Sequence, residues 1–143
     1  MPSPPSDQST HSPDQSLEEA YRAADYRVNG QLLKIGRPHP EFDRWLSEQQ
    51  YTTYYLLTAH NPYSTPLPPA VNALRHRTLL RLLDGLGMDY APASGGDTAG
   101  TWTEEGVCLF DVPLRTADQL GKIYEQHAVV HGSRGGQALL RWL

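Results

Sequence analysis

Polar side chains that follow a short apolar run are the first candidates for chemistry in this sequence. The run Tyr54–Ala59 leads directly into a dense set of such residues, namely His60, Asn61, Tyr63, Ser64 and Thr65. An imidazole transfers protons near neutral pH, and an amide both donates and accepts hydrogen bonds, so this set is typical of a small-ligand site. Asparagine before proline also starts many turns, and the same residues are equally consistent with a structural turn.

Two further polar groups precede apolar runs. Gln126 and His127 stand before 128–131, and Glu104 and Glu105 stand before 106–112. A buried glutamate with a raised pKa can act as a general base, whereas an acidic pair at the start of a strand is more often solvated. The predicted site therefore has catalytic candidates His60, His127 and Glu105 and ligand-binding candidates Thr58, Asn61, Tyr63 and Gln126.

The histidines also raise the question of a metal site. His127 and His131 are four residues apart, which in a strand places both on one face, and His60 is expected near them. Zinc needs three or four ligands in tetrahedral reach, usually at tighter spacing or with cysteine, and neither HExxH nor CxxC occurs. We therefore predict no metal site and no cofactor. Cys108 stands in the apolar segment GVCLFDV and is predicted to be a core residue rather than a nucleophile.

Composition and charge disfavour several classes of protein. The chain has 143 residues, 38% hydrophobic and 20% charged, and no apolar run approaches the roughly 18 residues of a membrane span. Residues 1–20 contain four acidic and no basic residues, whereas residues 21–143 contain 12 of each. This balance disfavours nucleic-acid binding, which needs a basic surplus. A single cysteine, and no secretory signal in the first 16 residues, predict a cytoplasmic protein.

The elements predicted before the polar region are short. Residues 1–15 are rich in Pro, Ser, Gln and Asp and are predicted to be a disordered tail, and residues 16–143 are predicted to form a single α+β domain. Ser16 with Glu19 is a capping box that predicts a helix, Asn29-Gly30 predicts a hairpin, and Pro40 begins a second small helix.

The rest of the chain alternates between strand and helix patterns. Strands are predicted over 54–60, 88–93, 106–112, 128–131 and 138–143, and helices over about 68–83 and from Thr116. From residue 54 this is the β-α-β-β-α-β order of a split βαβ, or ferredoxin-like, sheet, whose open face the N-terminal helix and hairpin can cover. The first and third of these strands are predicted to be central and parallel, and the fourth antiparallel to the first.

This topology predicts which candidates meet. The fourth strand begins where the first one ends, so Gln126 is expected beside Asn61. Asp111 is expected at the same edge, and the pair 104–105 at the opposite edge. Ligands often bind at such strand ends. Helical spacing and strand pattern further predict a set of buried apolar residues that includes Val71, Leu74, Leu79, Leu83, Phe110, Leu120 and Ile123.

Several motifs occur together: LLTAHNPYS, the following helix with Asn72 and Arg75, TWTEEGVCLF and YEQHAVVHG. In combination they resemble an uncharacterised bacterial family, domain of unknown function 3293, over about residues 21–143. The residues that match the family pattern are Thr58, Asn61, Pro62, Glu105 and Gln126. Gly106 departs from it, because a small hydroxyl residue is expected after the glutamate. The resemblance supports the fold and the site positions and does not supply an activity.

Two functions from different classes fit these features. The first is a site for a small polar molecule, nucleotide-like or amide-bearing, at the strand-end edge, with catalysis left open. Asn61 and Gln126 would then donate amide hydrogen bonds, and His60 or His127 would transfer a proton. The second is a non-catalytic protein-interaction domain that uses an edge strand or the basic helix surface formed by Arg75, His76, Arg77 and Arg81. No membrane partner is predicted, and the sequence does not determine the oligomeric state.

Overall fold

One antiparallel sheet and four α-helices form the structure, a computed structural model that describes residues 13–143. The helices are α1 (Pro13–Ala23), α2 (Pro40–Glu48), α3 (Pro69–Leu86) and α4 (Leu114–Ile123). The strands are β1 (Asp25–Val28), β2 (Gln31–Leu33), β3 (Thr53–Leu57), β4 (Tyr90–Gly96), β5 (Thr103–Phe110), β6 (Ala128–Ser133) and β7 (Leu139–Trp142). A short 3₁₀ turn, Pro62–Ser64, follows β3. The predicted mixture of α and β elements is therefore confirmed.

The strand order is β2-β1-β4-β5-β3-β6-β7, and neighbouring strands run antiparallel. β3 and β5 are adjacent and central, but Tyr54 lies opposite Phe110 and Leu57 opposite Val107, so the prediction that these strands are parallel is wrong. Helix α3 connects β3 to β4 so that these two strands run in the same direction. β5 lies between β3 and β4, and the short β4–β5 loop makes it run in the opposite direction.

Because β5 runs in the opposite direction, the acidic residues at its two ends exchange the edges at which they were expected. β5 starts beside the end of β3, so Glu104 lies next to Asn61 rather than at the far edge. β5 ends beside the start of β3. There the Asp111 carboxylate accepts hydrogen bonds from the backbone N–H groups of Thr52 and Thr53, at 2.9 and 2.8 Å. Asp111 is thus at the opposite edge from His60, contrary to the sequence-based prediction.

The sheet separates two apolar cores, because alternate side chains of its central strands point to opposite faces. α1 and α2 cover one face, where the central strands contribute Tyr54, Leu56, Cys108 and Phe110. α3 and α4 cover the other face, where the central strands contribute Tyr55, Leu57, Val107 and Leu109. The central strand β5 is buried on both faces over this stretch, and Cys108 and Phe110 are core residues as predicted.

The N-terminal helix and the hairpin take different places. α1 packs on the face that α3 and α4 leave open, as predicted. The hairpin extends the sheet instead, since β1 pairs with β4. Its turn residues Asn29 and Gly30 have φ of 52° and 74°, the left-handed pair that suits a two-residue hairpin turn. An isolated bridge between Ile35 and Ala138 links the two ends of the sheet, which therefore curls.

α3 buries a different stripe from the one predicted. Leu79 and Leu83 are buried, but Val71 and Leu74 are 43% and 54% exposed. The N-terminal half of α3 turns Asn72 inward, because it packs on the polar segment after β3 rather than on apolar strand residues.

Helix boundaries also differ. α4 begins at Leu114 instead of Thr116, and its Ile123, predicted to be buried, is 62% exposed. α1 begins at Pro13, inside the predicted tail of residues 1–15, of which residues 1–12 lie outside the described residues. Among the helices of residues 13–143, none has the length and apolar character that crossing a membrane requires.

Candidate functional site

The hydroxyl group of Thr58 fixes the segment after β3 to the start of β5. Thr58 is 2% exposed, and its Oγ1 donates to the backbone oxygen of Glu105 at 2.6 Å and accepts from the backbone N–H of His60 at 3.1 Å. Thr58, predicted to bind ligand, therefore uses its hydroxyl to orient the backbone that carries His60.

Gly106 makes this close approach possible. A Cβ atom at Gly106 would lie 2.5 Å from the backbone oxygen of Leu57, a distance that real Cβ atoms essentially never show. Any side chain at this position would push β3 and β5 apart. The departure from the hydroxyl residue expected at this position therefore has a steric cause in this chain.

Asn61 is the centre of a hydrogen-bond network. Its Nδ2 donates to Glu104 Oε1 at 2.8 Å, and its Oδ1 accepts from Leu67 N–H at 3.0 Å and from Asn72 Nδ2 at 2.8 Å. Its backbone N–H donates to Asn72 Oδ1 at 3.0 Å. The Asn61 amide, predicted to bind ligand, is thus engaged by the protein itself.

Glu104 is the buried member of this network. It is 3% exposed, and burial raises the pKa of its carboxyl group, while the hydrogen bond from Asn61 opposes that rise. Tyr21 of α1 lies on the same side, and burial together with the Glu104 charge raises the pKa of Tyr21. The burial of Glu104 could have been predicted from strand alternation. Glu104, Cys108 and Phe110 lie on the same face of β5, so Glu104 points into the core that the other two form.

Arg75 and Gln126 join the same segment to the start of β6. Arg75 donates from Nε to the Ala59 backbone oxygen at 2.6 Å and from Nη2 to the Tyr124 backbone oxygen at 2.9 Å. Gln126 Nε2 lies 3.2 Å from the His60 oxygen and 3.0 Å from the Tyr124 oxygen. Gln126 thus reaches the segment beside Asn61, where topology predicts it, and its amide nitrogen is bonded to backbone.

The turn that follows contains an unusual run of backbone angles. Asn61, Tyr63 and Ser64 have φ of 50°, 48° and 60°, in the left-handed region that residues other than glycine rarely adopt. A hydrogen bond of 2.6 Å from Tyr63 N–H to the Glu125 backbone oxygen supports this geometry. Tyr63 is 55% exposed, and its ring centroid lies 5.3 Å from that of His127. Conformations of this kind concentrate at functional sites.

His60, His76 of α3 and Glu105 form a cluster on the opposite face of β5 from Glu104. One ligating atom from each residue lies within 4.8 Å of the other two. The ring centroids of His60 and His76 are 6.1 Å apart, and His76 Nε2 is 3.9 Å from Glu105 Oε2. Burial, reinforced by His76, lowers the pKa of His60. Among the described residues, neither His60 Nε2 nor His76 Nδ1 has a hydrogen-bond partner, although both atoms are buried.

A groove of about 390 Å³ opens beside this cluster, and we call it the Arg27–Glu105 groove. Its lining residues are Arg27, Asn29, Gly30, His76, Pro92, Ala93, Ser94, Glu105 and Gly106. Arg27 lies opposite Ser94, and Ser94 opposite Glu105, so one row of side chains crosses β1, β4 and β5 on a single face. The Glu105 side chain is 74% exposed and that of His76 15% exposed.

The other two histidines of the predicted set, His127 and His131, lie elsewhere. His131 lines a second groove, of about 420 Å³, together with Asp111 at the opposite edge of the sheet. His127 faces Tyr63. Of the three histidines considered from the sequence, His60 alone belongs to the cluster found among the described residues. Sequence reasoning assigned His76 to an outer basic surface, yet Asn72, His76 and Leu79 occupy one helical stripe, and that spacing was the signal for their inward direction.

Fold and site together define a mixed α/β protein with one antiparallel sheet and a polar network where β3 ends. The chain belongs to the family described as "Protein of unknown function (DUF3293)", whose model matches residues 57–129, just over half of the sequence. The matched span contains Thr58, Asn61, Asn72, Glu105 and Gln126, and the resemblance stated from the motifs is confirmed. No match was found among curated proteins or among solved structures.

Proposed function

We propose that this protein binds a small polar molecule in the Arg27–Glu105 groove. The proposal is supported chiefly by one observation, the row in which Arg27, Ser94 and Glu105 stand opposite one another on adjacent strands, with His76 beside them. Adjacent strands are spaced by about 4.8 Å, so the row places the Cα atoms of Arg27 and Glu105 about 10 Å apart. A volume of about 390 Å³ is within the range of small-molecule sites.

The two ends of the row select different ligand groups. The Arg27 guanidinium favours a phosphate or carbonyl oxygen, and the Glu105 carboxylate accepts a hydrogen bond from an N–H group. A nucleotide-like molecule offers phosphate at one end and base N–H groups at the other, and an amide-bearing molecule offers both a carbonyl and an N–H. At the Glu105 end, His76 lines the groove and His60 lies in the same cluster, so the proposal extends to proton transfer by this pair.

The buried polar residues then have positioning roles. Asn61, Asn72 and Gln126 hold the segment that carries His60, and they contact the ligand only through that segment. We further propose that β3–β6 and their helices belong to the split βαβ, ferredoxin-like group, and the strand order β4-β5-β3-β6 supports this. A cytoplasmic setting is supported by the single cysteine, Cys108, which is buried as a free thiol.

A ligand screen tests this function. Wild-type protein is screened by thermal shift against nucleosides, nucleotides and small amides, and binders are followed by amide chemical shifts in NMR. Arg27→Gln and Glu105→Gln should each weaken binding about 10- to 100-fold, the effect of losing a hydrogen bond to a charged group. Arg44→Gln and Glu48→Gln on α2 are the matched controls, since both side chains are exposed on another element. Binding that all four variants retain, or a screen without any binder, would contradict the proposal.

A second candidate is a protein-interaction domain, and the exposed apolar pair Val71 and Leu74 on α3 favours it. Apolar residues one helical turn apart form the kind of stripe that docks on another protein surface. If a second copy of the chain docks there, sedimentation velocity should show a mass that rises with concentration. Leu74→Lys should abolish that rise and Leu86→Lys, equally exposed at the end of α3, should not.

A further inference from the structure

We propose that His60, His76 and Glu105 bind a divalent metal ion at the inner end of the Arg27–Glu105 groove, and that Zn²⁺ is the ion they suit best. These three residues come from three separate elements, namely the segment after β3, helix α3 and strand β5. Their meeting therefore depends on the antiparallel pairing of β3 with β5. They differ from the set of His60, His127 and His131 that the sequence brought into consideration.

The spacing of the ligating atoms fits a metal. Bonds of about 2.0–2.2 Å in a tetrahedral site place ligand atoms roughly 3.4 Å apart. His76 Nε2 and Glu105 Oε2 are 3.9 Å apart, too far for a hydrogen bond and close to the distance that a shared cation spans. The full set lies within 4.8 Å, and the Glu105 side chain, 74% exposed, has the freedom to close the remaining gap.

The buried imidazoles supply a second, independent observation. Burying a nitrogen without a hydrogen-bond partner is unfavourable, and such atoms in native structures call for an explanation. Within residues 13–143, His60 Nε2 is in this state, and so is His76 Nδ1, which is not the nitrogen that faces Glu105. An ion bound to His60 through Nε2 would supply the missing partner of that atom. Its partner ligands, a second imidazole and a carboxylate, are of the types that zinc prefers.

The ligand count indicates what such an ion would do. Two histidines and one carboxylate leave a fourth position open, which is typical of catalytic rather than structural zinc sites. Two of the three ligands, His76 and Glu105, line the groove, so an ion held by them would be reached from it. A bound ion would activate a water molecule at the Glu105 end of the groove, and His60 and His76 would then act as metal ligands instead of transferring a proton themselves. This role of the ion rests on the proposed function, whereas its binding does not require any small ligand.

Metal binding is measured directly on the full chain, without an affinity tag and after treatment with a chelator. Isothermal titration with Zn²⁺ should show one site per chain with a Kd of about 1 µM or tighter. Co²⁺ should bind with the visible absorption of a tetrahedral site, and Mg²⁺, which prefers oxygen ligands, should not compete. His60→Ala, His76→Ala and Glu105→Gln should each weaken Zn²⁺ binding at least about 10-fold.

Matched variants outside the cluster test whether the loss of Zn²⁺ affinity is specific to His60, His76 and Glu105. His127→Ala and His131→Ala remove one imidazole each and should leave the affinity unchanged. Glu105→Gln keeps the test valid if a histidine variant misfolds, because its side chain is exposed, and thermal melts without metal check folding in every case. Absence of a stoichiometric site, or equal losses in His127→Ala, would overturn the metal proposal. Ligand screening with and without chelator separates the two proposals, since the groove can bind ligand without metal and the cluster can bind metal without ligand.

Discussion

Replacing Asn61 with alanine should destabilise the folded protein rather than only weaken a ligand. The Asn61 side chain bonds to Glu104, to Asn72 and to the backbone N–H of Leu67. Glu104 and Asn72 are 3% and 7% exposed, so water cannot readily replace the lost partner. Asn61 also adopts φ 50°, which alanine tolerates poorly.

The size of the effect follows from these contacts. Three lost hydrogen bonds contribute about 1 kcal/mol each, and the left-handed backbone adds about 1–2 kcal/mol for alanine. We therefore expect Asn61→Ala to lower the free energy of unfolding by about 4–5 kcal/mol, with a fall in Tm on the order of 10 °C. Asn61→Gly loses the same bonds but accepts the backbone angle, so it should cost about 1 kcal/mol less than alanine.

Equilibrium urea unfolding measures these differences, with far-UV circular dichroism as the signal. Asn29→Ala is the matched control, because Asn29 has a similar φ of 52° in an exposed hairpin turn. Asn29→Ala should lower the free energy of unfolding only by the backbone contribution, about 1–2 kcal/mol. If Asn61→Ala costs no more than Asn29→Ala, the network does not stabilise the fold, and Asn61 returns as a ligand-binding candidate.

Three further substitutions test the fold around the site. Gly106→Ala should cost about 1–3 kcal/mol in urea unfolding, because the new Cβ would meet the Leu57 backbone oxygen at 2.5 Å. Phe110→Ala should cost about 3–5 kcal/mol by the same measurement, and a cost below about 1 kcal/mol would mean that β5 is not a central strand. Asp118→Asn should cost about 1–2 kcal/mol near pH 7, because hydrogen bonds from Arg141 hold the pKa of Asp118 below its ordinary value. That contribution is present above the unfolded pKa of about 3.9 and is lost as pH falls through the lower folded value, so thermal melts of wild type and variant should converge in acid.

Local patterns predicted the elements better than they predicted their directions. The hairpin at Asn29-Gly30, the apolar strand that contains Cys108 and the helix that buries Leu79 and Leu83 all follow from spacing and turn chemistry. The direction of β5 relative to β3 depends on how α3 and the β4–β5 loop return the chain, and no residue within β5 specifies it. That one error moved Asp111 to the wrong edge of the sheet.

The position of the polar network was predictable and its composition less so. The network lies in the polar segment after β3, and Gln126 reaches that segment as predicted. The residues that the segment brings close, such as Asn72 and His76, belong to a helix whose exposed face reads as basic in the sequence. Their inward direction depends on α3 packing against a polar turn, which a search for apolar stripes does not detect.

The adjacent glutamates of β5 lie in opposite environments, one buried and one exposed. Because side chains alternate along β5, Glu104 points toward α1 and Glu105 toward α3, although one peptide bond joins them. Glu104 is buried and bonded to Asn61, so its carboxyl group holds the end of β3 in place. Glu105 is exposed beside two imidazoles and a groove, so its carboxylate is available to a ligand or an ion. The antiparallel pairing sets both at the end of β3, so the buried hydrogen-bond network and the exposed carboxylate lie side by side.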